Sequence, residues 1–372
     1  MKANNLLGVI FSNMHDELLR ELTESRTMGS VPFGGRYRLI DFPLSNMVNG
    51  GVNKVGVITK SNYQSLMDHL GSGKSWDLAR KKGGLFILPP FGDIGTGFYK
   101  SRIEALNGIQ QFLHFSQEEY VVFSDCDVVA NIDLADMFRR HLELDADITF
   151  ACKRGTLPSR RDGVMVFDLG ENSRIAGMRI SPDTKEQRLF GLNIYIAKKS
   201  LIMEAVKDAL SRSYGSLERD VFQTRVGSLK MFAYEVGGFL SVIDGMQSFV
   251  QANMALLERQ NREDLFNPAR PVYTKIRDEM PVRYGLDSRV VNSLIADGCK
   301  IDGTVENSIV FRGAKIAKGA VVKNSIIMQS SRVGENVSLG YVTADKNVEI
   351  SPGRTLMGFE SYPVFISKGT TV

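Results

Sequence analysis

Leu6 to Phe11 is an unbroken apolar run of strand length, which predicts a strand buried on both faces. Val52 to Thr59 and Tyr120 to Phe123 predict two more core strands, and Phe190 to Ile196 a further one. Between them the period changes. Tyr63 to His69 has helical spacing. In Ser101 to Phe115, Ile103, Leu106, Ile109 and Phe112 recur every three residues, which predicts one amphipathic helix. Strands alternating with helices in this way predict an α/β domain.

A different pattern begins near Val290. The triplets Asn292-Ser293-Leu294, Asn307-Ser308-Ile309 and Asn324-Ser325-Ile326 recur at intervals of 15 and 17 residues. Aliphatics fall close to every sixth position between them, and Gly298, Gly303, Gly313, Gly319 and Gly334 punctuate the turns. That period predicts the coils of a parallel β-helix, each burying its aliphatics against the next. An antiparallel sandwich would show a stronger alternation of period two. Gln260 to Tyr284, rich in proline and charge, reads as a linker. The expected organisation is therefore a first domain over 1–259, a linker over 260–284 and a β-helix over 285–372.

Composition narrows the function classes. The 372 residues suffice for two domains with real cores. A net charge of +4, with no dense Lys/Arg block, gives no nucleic-acid footprint. Cys126, Cys152 and Cys299 are too dispersed for a disulfide framework or a zinc site. No apolar run is long enough to span a membrane, and the start MKANNLLGVIF lacks a cleavage region, so a cytoplasmic protein is expected.

The stretch VPFGGRYRLIDFPLSNMVN, from Val31 to Asn49, carries the strongest single signal. Pro32, Gly34 and Gly35 make a turn, Arg36, Tyr37 and Arg38 a basic strand start, and Asn46 and Asn49 follow at helical spacing. With Trp76-Asp77-Leu78 and Gly83 to Pro90, it closely resembles the signature of sugar-nucleotide pyrophosphorylases, and among them the glucose 1-phosphate adenylyltransferase (ADP-glucose pyrophosphorylase) family. The resemblance implies a Rossmann-like α/β nucleotidyltransferase with a mixed, mostly parallel sheet, followed by a left-handed parallel β-helix. It also implies Mg²⁺-dependent conversion of ATP and glucose 1-phosphate to ADP-glucose and pyrophosphate.

Against that pattern the chemistry-bearing positions depart. Where the family has AGGxGxRL after the first strand, this chain has Asn13, Met14, Asp16 and Leu18. Two acids, Asp16 and Glu17, stand where a phosphate would have to approach, each repelling it by roughly a kcal/mol or more. His15 reads as a solvated loop residue. Met28 replaces a phosphate-facing lysine. Gly95 and Thr96 survive from the substrate segment, but Phe98 replaces its polar residue. Asp127 falls on the family's metal-binding aspartate, where one or two carboxylates would hold Mg²⁺ with the substrate phosphates. Val242 falls on the second metal carboxylate, with Asp244 two residues on as the only possible rescue. Arg26 and Arg38 match basic positions of the family's effector pocket for phosphate-bearing sugars or nucleotides, with Arg36 a basic substitute there and Lys346 where the family often has a basic effector residue.

The resemblance thus implies a largely non-catalytic regulatory subunit of bacterial glycogen biosynthesis. It would pair with a catalytic paralogue in a hetero-oligomer, a tetramer by analogy, or form a homodimer alone. No cofactor is expected, and Mg²⁺ only if the chain is active. The alternative is a weakly active adenylyltransferase using Asp127 and Asp244. Acyl transfer on the β-helix is disfavoured because no histidine follows His141. A binding module without effector response is the remaining class.

Overall fold

The computed structural model describes residues 5–90, 99–158, 163–184 and 186–372. The first domain is built on a nine-stranded sheet. Its strands are β1 (Leu6–Phe11), β2 (Lys54–Ile58), β3 (Gly84–Leu88), β4 (Tyr120–Asp125), β5 (Ile148–Gly155), β6 (Met165–Leu169), β7 (Ile175–Ile180), β8 (Arg188–Lys198) and β9 (Met231–Glu235). They run in the order β7-β6-β8-β4-β1-β2-β3, with β5 beside β8 and β9 beside β5. The neighbours β3, β2, β1 and β4 are parallel, and β8 crosses back antiparallel between β4 and β5. Only β7 and β8 oppose the rest, so the sheet is mixed and mostly parallel. All six residues of β1 are buried, as an apolar run in a sheet covered on both faces requires.

The helix expected over 101–115 is two, Arg102–Gly108 and Gln110–His114. Ser101 caps the first by accepting the N–H of Glu104 at 3.2 Å. Gly108, a weak helix former, precedes the break at Ile109. The break rotates the second helix, so Leu113 rather than Phe112 is fully buried.

The C-terminal domain is a left-handed parallel β-helix of three five-stranded sheets. Stacked interior positions are Ile301, Ile316, Val333 and Ile350 on one side, and Val305, Val322 and Leu339 on the next, all buried. The Asn-Ser repeat is explained by its corner. Asn292, Asn307 and Asn324 adopt φ of +42°, +45° and +48°, a left-handed conformation that asparagine tolerates. Each following serine hydroxyl accepts a backbone N–H from the next coil. Ser308 N–H donates to Ser293 Oγ at 3.1 Å, Ser325 N–H to Ser308 Oγ at 3.1 Å, and Val342 N–H to Ser325 Oγ at 3.0 Å.

The two domains share a core. Phe33, Phe42, Phe249, Leu256 and Leu265 pack with Ile309, Phe311, Ile326 and Met328. The span expected as a linker therefore opens as part of the first domain. A helix covers Arg259–Leu265, Leu265 is fully buried, and Phe266 stacks on Tyr37 with ring centroids 4.9 Å apart. Residues 267–282 form the connection, and the first coil starts at Arg283. Asn49 Nδ2 donates to the Pro271 carbonyl at 3.0 Å and Tyr273 N–H to Ser45 Oγ at 2.9 Å, fastening the connection to the first domain. Among the described residues, no helix is long and apolar enough to cross a membrane.

Candidate functional site

The stretch from Val31 to Asn49 forms a hairpin, Pro32–Phe33 against Tyr37–Arg38, and then the helix Asp41–Asn49. Gly34 and Gly35 turn the hairpin at φ of +58° and +87°, where a Cβ is strained. A Cβ on Gly34 would also meet Leu256 Cδ1 at 3.0 Å. Asn46 is a backbone clamp. Its Nδ2 donates to the Ala130 carbonyl at 3.0 Å and its Oδ1 accepts the Ile132 N–H at 3.1 Å. It thereby fixes the segment that follows β4, the segment bearing Asp127.

Asp125, Cys126 and Asp127 are all buried at the C-terminal end of β4, where a parallel sheet places its ligands. Asp125 receives Arg102 bidentately, Nη1 to Oδ1 at 2.9 Å and Nη2 to Oδ2 at 3.0 Å. Arg102 in turn holds Glu218, Nε to Oε1 at 2.9 Å, and lies over the ring of Phe11. Asn193 Nδ2 donates to Asp125 Oδ2 at 3.1 Å. His15, expected to be solvated, instead has a side chain only 15% exposed. Its Nε2 stands 2.8 Å from Asp125 Oδ2 and 3.7 Å from Asp127 Oδ2. Burial pushes the Asp125 carboxyl up, but Arg102 and His15 more than offset it and hold it well below the ordinary carboxylate range. Cys126, buried among aspartates, has its thiol pushed well up and is no nucleophile.

The family's magnesium–triphosphate site asks for glycine N–H groups and an all-oxygen pair of carboxylates, and this chain's residues do not fit it. In the loop after β1, Asp16 Oδ1 itself accepts the Met28 N–H at 2.7 Å, so a carboxylate of the chain takes a donor that a phosphate would use. Burial raises the Asp16 carboxyl to about 7. Val242 is a ladder residue paired with Val128. The next residue, Ile243, donates its N–H to the Asp127 carbonyl at 2.7 Å, which puts Asp244 one residue out of register with Asp127. Asp244 lines a separate cleft with Glu21, Gln251 and Tyr362. Among the described residues, the group of side chains close enough to share one ion is His15, Asp125 and Asp127, and it does not include Asp244. Gly95, Thr96 and Phe98 lie outside the described residues.

The four basic residues expected at an effector pocket divide three to one. Arg26, Arg38 and Lys346 converge where the domains meet. Arg26 forms a two-point ion pair with Asp345, at 2.9 and 2.7 Å, both side chains 2% exposed. Arg38 Nη1 donates to the Ser65 carbonyl at 2.6 Å, and its own N–H donates to Asp41 Oδ2 at 2.9 Å. His69 Nε2 lies 2.6 Å from Asp41 Oδ1. Burial, then Arg38 and Arg26, push the half-buried Lys346 amine down to about 6, while Asp345 opposes them. Burial, together with Arg277 and Arg26, lowers Arg38 to about 10 against the pull of Asp41. Arg36 points elsewhere, pairing with Asp297 at 2.6 Å beside Arg312. Its guanidinium is therefore committed to a surface pair.

Arg102, Glu218, Asn193 and Asp345 were not legible as site residues. Their partners lie 23 to 319 positions away in the chain.

Fold and site together define a nucleotidyltransferase-type domain joined to a hexapeptide β-helix. The nucleotidyl transferase family matches residues 12–236, and the GlmU-like C-terminal hexapeptide family matches residues 280–361. The chain is 38% identical over 370 residues to the glycogen biosynthesis protein GlgD of Geobacillus stearothermophilus, covering 99% of this chain and 97% of the relative. To GlgD of Bacillus subtilis it is 34% identical over 375 residues, with the same coverage. To the glucose-1-phosphate adenylyltransferase of Fervidobacterium nodosum it is 31% identical, over 94% of this chain and 85% of the relative. The chain belongs to the glucose-1-phosphate adenylyltransferase family, among its GlgD-type members.

Proposed function

We propose that this chain acts in glycogen biosynthesis as a largely non-catalytic regulatory subunit. It pairs with a catalytic ADP-glucose pyrophosphorylase in the cytoplasm and modulates the conversion of ATP and glucose 1-phosphate to ADP-glucose and pyrophosphate. The observation that carries this reading is the end of β4. There Arg102 pairs with Asp125 and the His15 ring hydrogen-bonds it, so Asp125 is engaged by the chain's own side chains rather than by a magnesium–nucleotide complex. Asp16 occupies the neighbouring loop donor in place of a phosphate. The junction cluster of Arg26, Arg38 and Lys346 is the effector end of the same reading, suited to a phosphorylated sugar or nucleotide.

Co-expression with the catalytic paralogue tests it. The mixed complex is expected to differ from the catalytic subunit alone in rate or effector response, and Arg38→Ala is expected to abolish the difference made by effector. A mixed preparation that behaves as the sum of two non-interacting chains would remove the regulatory reading. A second reading, weak adenylyltransferase activity, is favoured by one observation: Asp127 is retained and buried at the strand end where the family's metal aspartate falls. It requires Mg²⁺-dependent turnover by the chain alone that Asp127→Asn abolishes.

A further inference from the structure

The magnesium set is broken at the end of β4, yet the side chains there still make a ligand group of another kind. We propose that His15, Asp125 and Asp127 bind a divalent ion of the manganese–cobalt–zinc class. This site differs in chemistry from a magnesium–nucleotide site and needs neither nucleotide nor partner subunit.

Each of the three residues offers one ligand atom, and these atoms lie within 4.8 Å of one another. His15 Nε2 is 2.8 Å from Asp125 Oδ2 and 3.7 Å from Asp127 Oδ2. Ligands about 2.0–2.2 Å from one tetrahedral ion stand about 3.3–3.6 Å apart, and these separations straddle that range. Binding exchanges the hydrogen bond between His15 and Asp125 for two bonds to the ion, with small movements of each side chain.

A second observation points to a ligand at the same place. Asn193 is 5% exposed and its Nδ2 donates to Asp125 Oδ2, so its amide is aimed at the group. Its Oδ1 is buried with no hydrogen-bond partner among the described residues. A buried amide oxygen left in that state is costly, and a water on the ion would donate to it. Asn193 is held there by distortion of the strand. It sits at φ +57°, where the register of β8 against β5 shifts between Gly191 and Tyr195. A left-handed bulge residue inside a buried strand is the kind of local cost that marks a functional position.

The surroundings favour a dication. Asp125 and Asp127 bring two carboxylates to the group, while Arg102 is shared between Asp125 and Glu218. Arg102 also orients Asp125, as an outer-shell partner does for a ligating carboxylate. An imidazole with two carboxylates suits manganese, cobalt or zinc. Magnesium prefers an octahedron of oxygens and keeps its water. The ion would tie the loop after β1 to β4.

The test uses the untagged full-length chain, stripped of metal, without nucleotide or second subunit. Co²⁺ is titrated and followed by its visible ligand-field absorption and by calorimetry. One Co²⁺ per chain is expected, with Mg²⁺ at least about ten-fold weaker. His15→Ala is expected to weaken Co²⁺ by about ten-fold or more, and His15→Gln, which keeps a polar contact to Asp125, is expected to do the same. Melting of the metal-free variants shows whether they are folded. If neither folds, the wild-type chain decides: Co²⁺ should protect His15 from modification by diethylpyrocarbonate, with His69, His114 and His141 as internal references. No stoichiometric Co²⁺ uptake, unchanged affinity in a folded His15 variant, or no protection of His15 overturns the proposal. Because the readout involves neither turnover nor a partner, its failure leaves the regulatory reading standing, and the reverse also holds.

Discussion

The end of β4 and the junction between the domains are built from the same parts in opposite proportion. At β4, among the described residues, one buried arginine and a histidine face the three carboxylates Asp125, Asp127 and Glu218. At the junction the guanidiniums of Arg26, Arg38 and the nearby Arg277 face Asp345 and Asp41, with the Lys346 amine beside them, so among the described residues guanidiniums outnumber carboxylates. A buried excess of either sign is costly and calls for a ligand of the other sign. On the readings proposed above, the first region takes a cation and the second an anion. A magnesium–triphosphate complex suits neither, since the triphosphate meets acids at the first and the metal meets arginines at the second.

The largest expected effect breaks the junction's one full neutralisation. Asp345→Ala strands the buried Arg26 guanidinium and should cost about 3–5 kcal/mol in urea unfolding. Millimolar phosphate or a phosphorylated sugar should restore part of that loss in Asp345→Ala if the junction takes anions.

Next come two opposite pH dependences. Lys346 sits at about 6 in the folded chain against an ordinary 10.5, with burial as the main cause. Between those values the unfolded chain binds the extra proton, so stability rises with pH from about 6 to 10.5. The slope is at most about 1.4 kcal/mol per pH unit, and Lys346→Met should flatten it. Asp16 sits at about 7 against an ordinary 3.8, again through burial. There the folded chain binds the extra proton, so its contribution is intact below about 4 and is lost as pH rises through about 7. Asp16→Asn, keeping the acceptor for the Met28 N–H, should be more stable than the parent at pH 8 by about 1–3 kcal/mol, and no different at pH 3.5. Thermal melts of the three chains across pH 3.5 to 10 check both signs.

The smallest effect separates the arginines. Arg36→Ala removes a pair with Arg36 46% exposed and should change stability by less than about 0.5 kcal/mol. It should also leave any effector response intact, whereas Arg38→Ala should remove it.

Much of this was legible in the sequence because it is local. The apolar run of β1 announces a doubly covered strand, and the Asn-Ser repeat announces the β-helix because each asparagine must turn its own left-handed corner. Arg26, Arg36, Arg38 and Lys346 stood out as basic positions, but that Arg36 lies apart from the other three could not be read from the sequence. The difference is the presence of Asp297, 261 residues away. The same holds for His15, whose burial depends on Asp125, 110 residues on. The split of the 101–115 helix follows from Gly108, a local signal overridden by an otherwise regular apolar period. Asn193 carries no local mark at all, since its bulge exists only by reference to β5.

The central claim is that the end of β4, with Asp16 rather than a phosphate on the loop donor beside it, no longer handles a nucleotide triphosphate. The most direct test is ADP-glucose synthesis by the purified chain alone, with saturating ATP, glucose 1-phosphate and Mg²⁺, beside a mixture with the catalytic subunit. The account predicts no turnover above background for the chain alone and a changed rate or effector response for the mixture. Turnover by the chain alone near 1 s⁻¹ or faster, an ordinary enzyme rate, and its abolition by Asp127→Asn would contradict it.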